Sequence, residues 1–235
     1  NANDFGGAVS VVSGRDVTLN DSNAIVIGTA TIIGNLVVTA NGAISDAGAL
    51  TVTGTTSLTA GAANDITLDN TNDFGGVVSI VSGQNVTLND SNAIVIGAST
   101  VSGNLVVTAN GAITDDGLLT VTGTTSLTAG ATNDINLDNA NDFGGTVSVV
   151  SGRNVTLNDS NAIVLGTSTV SGNLVVTANG PITDAGALSI TGTTSRTAGA
   201  GNDITLDNSN DFGGAVSVVS GRNVTLNDSN AIVLG

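Results

Sequence analysis

The string Asp-Phe-Gly-Gly begins at Asp4, Asp73, Asp142 and Asp211, 69 residues apart each time, with no insertion or deletion between copies. A strict internal period of this length marks stacked supersecondary units, each able to bury its apolar face only against its neighbours. The units run 1–69, 70–138 and 139–207, with 208–235 opening a fourth, and 1–235 is expected to be one continuous solenoid segment of a longer array. Copies that have barely diverged suit material better than chemistry, because a reaction site needs groups of different roles converging at one place.

Glycine subdivides each unit. In the first, the segments 8–28, 29–48 and 49–76 each carry a glycine-ended triplet: Val12-Ser13-Gly14, Ile32-Ile33-Gly34 and Val52-Thr53-Gly54. Each segment also holds three short β-type runs, among them Val9 to Val12, Leu36 to Val38 and Ile66 to Leu68. Val, Ile and Thr favour a pleated surface, and alternations such as Ile66-Thr67-Leu68 point one side inward and the other to water. Between the runs lie Ser-Gly, Asn-Gly and Asn-Asp-Ser-Asn, which supply the sharp corners, while Gly14, Gly34 and Gly54 are structural candidates for those corners. The pattern predicts an all-β fold: a right-handed parallel β-helix (β-solenoid) with three coils per 69-residue repeat and a triangular cross-section. At about 4.8 Å per layer, one unit would then advance about 14 Å.

Composition removes most chemistry. The chain has no Cys, His, Trp, Tyr or Met, so disulfides, thiol nucleophiles, imidazole bases and zinc sites are out of reach, and no enzyme is expected. All acidic residues are Asp and all basic ones Arg, and the net charge of −15 disfavours nucleic acid and anionic membranes as partners. No apolar run approaches the roughly 18 residues of a membrane-inserted helix. Disorder is excluded by the 40% of apolar residues, which come in evenly spaced runs.

Four features single themselves out. Asp65, Asp69 and Asp73, with their copies Asp134, Asp138 and Asp142, recur in turns and form the candidate calcium ligands; no other cofactor is expected. Their plainer role is to bond the backbone of their own turns. The charge also predicts that neighbouring fibres repel within a Debye length of about 10 Å unless cations bundle them. Phe5, Phe74, Phe143 and Phe212 are the only aromatics and are expected to fold back over a corner of the coil as packing, rather than to stack on a sugar. Arg196 stands where the other units have Leu58 and Leu127, an inward position, and is expected to turn outward or reach a neighbouring Asp, because a buried unpaired guanidinium is costly. Pro181, in place of Ala43 and Ala112, should sit where no ladder donor is needed.

The strings Asn35-Leu36-Val37-Val38-Thr39-Ala40-Asn41-Gly42 and Ser57-Leu58-Thr59-Ala60-Gly61, recurring with Asp65-Ile66-Thr67-Leu68, resemble the repeats of filamentous-haemagglutinin-like bacterial exoproteins. The resemblance covers the whole chain. It implies a secreted adhesin-type fibre at the bacterial cell surface, built as a right-handed parallel β-helix. The chain carries no Arg-Gly-Asp triplet; Gly14-Arg15-Asp16 has another order. The expected function is thus a structural stalk that projects a binding tip or forms an extracellular mesh. Its partners would be neighbouring coils and fibres, with host-cell or matrix glycans or proteins bound by regions outside this chain. The alternative is a subunit that stacks end to end through open β-edges into a filament. A β-helical polysaccharide-cleaving enzyme fits less well, since the Asp residues recur identically in each unit.

Overall fold

The computed structural model describes residues 3–235 and, among them, contains strands and turns but no helix. Every strand pairing is parallel, and away from the two ends of the stack strands pair with the coil before and the coil after. The chain is a parallel β-solenoid of about 11 turns. Alternation decides which side chains go in. Along Leu36–Ala40, Leu36, Val38 and Ala40 are buried while Val37 and Thr39 look outward. Registered one above another, Leu19, Val38, Leu58 and Ile80 form an inward column, and Thr18, Val37, Ser57 and Ser79 the adjacent outward one. The core is therefore a continuous stack of Val, Leu, Ile and Ala along the axis, and backbone groups are satisfied between layers.

Two kinds of strand alternate around the coil. Straight ones such as Val17–Asp21, Leu36–Ala40 and Thr56–Thr59 are short; the others, such as Ile25–Ile32 and Ile66–Phe74, are long and bent into two legs. A coil with a bent strand thus carries three β runs, one straight and two legs. Once in every 69 residues two straight strands follow one another, as in Val78–Ser82 and Val86–Asp90.

That succession has a large geometric effect. The same sequence, Val-Thr-Leu-Asn-Asp, forms Val17–Asp21 and Val155–Asp159 in the 11-stranded sheet but Val86–Asp90 and Val224–Asp228 in the 15-stranded one. A unit contributes seven straight or bent strands, an odd number, so it makes three and a half turns and its successor starts on the opposite side. Glycine punctuation had counted three coils per unit. The missing half turn lies in the segment 49–76, whose last run, Asn72 to Phe74, forms the second leg of Ile66–Phe74 and pairs with Thr51 and Val52 below. One unit then advances about 17 Å, and the structural period is two units, about 34 Å.

Candidate functional site

Polar side chains concentrate at the corners, where they form ladders from coil to coil. The Asp65 carboxylate accepts the Asn85 backbone N–H (3.0 Å) and side-chain Nδ2 (2.9 Å). The Asn85 Oδ1 in turn accepts the Asn104 N–H at 3.1 Å, and the Asn104 Oδ1 accepts the Thr124 N–H at 2.8 Å. One unit on, Asp134, Asn154, Asn173 and Thr193 repeat the relay. The expected role of Asp in its own turn gives way here to a role in the turn one coil away. Asp90 does both: it accepts its own turn's Asn92 N–H at 3.0 Å and the Phe74 N–H of the coil below at 3.3 Å.

A second polar set sits at the bend of the long strand. Asn72 is fully buried, accepts the Leu50 N–H (2.8 Å), and donates to Asp46 Oδ2 (2.8 Å) and the Leu68 carbonyl (3.3 Å). Asp46 also accepts the N–H groups of Asp69 and Asn70, so it fastens the corner of the next coil. Asn141 with Asp115 and Asn210 with Asp184 reproduce this arrangement. Sequence reading missed Asp46 and Asn72, yet a signal was there: inward parity continues from Leu68 through Asn72 to Phe74.

The calcium candidates do not converge. Asp65 serves Asn85, Asp73 accepts Asn92 Nδ2 (2.8 Å), and Asp142 accepts Asn161 Nδ2 (2.8 Å). Asp134 holds the Arg153 guanidinium in two bonds of 2.8 Å, and Asp138 accepts Asn136 Nδ2 at 2.9 Å. Asp69 is exposed and donates its backbone N–H to Asp46. Among the described residues no group of three or more potential metal-ligating carboxylates forms. The Arg153 guanidinium holds the Asp134 carboxyl well below the usual range, and Arg222 likewise lowers Asp203 to about 2. Burial pushes Asp90 and Asp159 the other way, against the lowering pull of the N–H groups they accept.

Phe74, Phe143 and Phe212 end the bent strands and lie inside the core, not over a corner, while Phe5 is half-buried against it. Of the glycines, Gly34 and Gly54 are stacked, Gly54 N–H donating to the Gly34 carbonyl at 2.9 Å. A Cβ on Gly54 would meet that oxygen at 2.4 Å, and one on Gly14 would meet Val17 Cγ2 at 2.6 Å. They are needed for close approach. Left-handed backbone occurs only at Gly61, Gly130 and Gly199 among the described residues. Pro181 precedes the strand Ile182–Asp184 and contributes only its carbonyl, to the Ile163 N–H.

Arg196 overturns its expectation. It is fully buried in Thr194–Thr197, none of its three guanidinium nitrogens has a hydrogen-bond partner, and its charge lies 4.8 Å over the Phe212 ring. The ladder explains why: Arg196 is held between Val176 and Val218 in an inward register that its backbone cannot leave without breaking both pairings. Burial lowers its ionisation to about 9, only weakly opposed by Asp184.

What the ladders and bends build is a scaffold repeated three times over. Residues 14–81, 83–150 and 152–219 each match the DUF5649 family, described as repeats of unknown function. The chain belongs to this family. A DUF5649 repeat begins at Gly14, Gly83 or Gly152, where two straight strands succeed one another, and so contains three bent strands with straight ones between them. No curated protein and no solved structure matches the chain. No helix among the described residues is long and apolar enough to cross a membrane.

Proposed function

We propose that these DUF5649 repeats are a structural segment of an extracellular fibre at a bacterial cell surface, a stalk or mesh element of filamentous-haemagglutinin-like type. The observation that carries this reading is the uninterrupted parallel ladder through every unit, whose polar residues are spent on holding one coil to the next. Such a column gains stability with each stacked coil and resists bending, which is what a projecting element needs. Catalysis is not part of the proposal: the corner carboxylates are engaged by Asn, Arg or backbone N–H groups, and among the described residues no three of them gather in one place. Any calcium would act between fibres by screening the net charge of −15, not within a coordination cage.

The test is to image fibres from producing cells by cryo-electron microscopy and compare their length with that of the intact chain. One length, proportional to the number of repeats, supports the single-molecule stalk. Lengths that far exceed one chain and grow with concentration would replace it with the end-to-end filament. Absence of the repeats from the cell exterior would reject both.

A further inference from the structure

We propose that the coil carrying Arg196 is the opening point of this solenoid, the place where the stack parts locally while the other units stay closed. The chain supplies its own controls. Thr56–Thr59, Thr125–Thr128 and Thr194–Thr197 are copies of one strand and differ only in that the third has Arg where the others have Leu58 and Leu127. All three side chains are fully buried and sit between apolar neighbours in the same register: Val38 and Ile80, Val107 and Val149, Val176 and Val218.

Closing the first two of these coils buries a leucine, whereas closing the third also strips water from a guanidinium whose Nε, Nη1 and Nη2 find no acceptor in return. Phe212 offers its ring face at 4.8 Å, a partial compensation. Asp184, the acid whose charge acts on the guanidinium, is already committed to the Asp207 N–H and Asn210 Nδ2. Thr194–Thr197 pairs only with the strand of the coil before and that of the coil after, so this penalty is not shared along the array but lowers the opening free energy of one place. When Thr194–Thr197 leaves the ladder, Arg196 reaches water and the strands Leu174–Ala178 and Val216–Ser220 lose their common partner. A load along the axis acts on every coil alike, so the coil with the least to lose parts first. This holds whether or not the chain is a stalk.

Hydrogen exchange on the full 235-residue chain tests it, since the peptides covering the three copies differ in sequence. Exchange across 187–197 should run at least about tenfold faster than across 118–128 and 49–59, and R196L should remove the difference. The variant restores the residue of the other two copies and so leaves the fold intact. Equal protection of all three copies in the native chain would overturn the proposal. Fast exchange that persists in R196L would overturn it too, tracing the opening to the nearby last coils instead of the charge.

Discussion

A carboxylate at a corner of this solenoid can be pulled in either direction, and the partner decides which. Asp134 and Asp203 face a guanidinium and are lowered, Asp203 to about 2, whereas Asp90 and Asp159 are raised by burial. A lowered carboxyl contributes stability that is complete above its unfolded value of about 3.9 and is lost as pH falls through the folded one. A raised carboxyl does the opposite: its ionised form is a burden above its folded pKa, relieved on acidification. The variant R153Q/R222Q should therefore melt slightly below the native chain at pH 7, since both pairs are solvent-exposed and screened. That gap should close as pH falls from about 4 to about 2. Thermal melts across that range check it; a gap that stays constant down to pH 2 would refute the assignment to these ion pairs.

At the scale of a strand, the bend is held by one buried amide. Asn141 satisfies the Leu119 N–H with its oxygen and Asp115 with its nitrogen, so N141A leaves a buried donor without an acceptor, at a cost of about 1–3 kcal/mol. N141D should be worse at neutral pH, because a carboxylate oxygen then faces Asp115 Oδ2, and it should recover towards N141A on acidification as the new carboxyl takes up a proton. Denaturant titration at pH 7 and pH 4 reads both. The glycine stack gives a sharper contrast. In G123A the new Cβ would lie 2.5 Å from the Gly103 carbonyl oxygen, with backbone on either side unable to yield, and should cost about 1–3 kcal/mol. In G6A nothing lies within 4 Å, and stability should not change measurably.

These elements also show what the sequence could reveal and why the rest stayed hidden. Alternation in Leu36–Ala40 or Ile66 to Leu68 is a local property, and it led directly to strands, inward faces and parallel stacking. Asn72 broke the reading because a polar residue at an inward position looks like a loop until the Leu50 N–H and Asp46 that satisfy it are seen, both more than 20 residues away in the chain. Asp65 looked like a turn residue of its own corner for the same reason: Asn85 lies a full coil above. Arg196 followed its register instead of its solvation, since moving one side chain out means giving up two rungs of ladder.

For the whole molecule the decisive quantity is the half turn. Because each unit ends on the side opposite to its start, identical surfaces of successive units face opposite ways, and a long array offers two equivalent flanks, each repeating every 138 residues. Were the repeats to act as the fibre proposed above, neighbours could meet the same residues on both flanks. The absence of Cys makes the geometry measurable, since introduced cysteines would be the only thiols. Thr71, Ala140 and Ser209 are exposed, equivalent and 69 residues apart. Spin labels in T71C/S209C should lie on one flank about seven layers, or 34 Å, apart. Labels in T71C/A140C should lie across the solenoid from one another, separated by its width as well as by an axial offset of about 17 Å. Three whole turns per unit would instead put Thr71 and Ala140 on the same flank about 14 Å apart, with strong dipolar broadening, and would bring the outer pair in to about 29 Å. The pair in adjacent units therefore decides between a two-flanked solenoid and a single-flanked one.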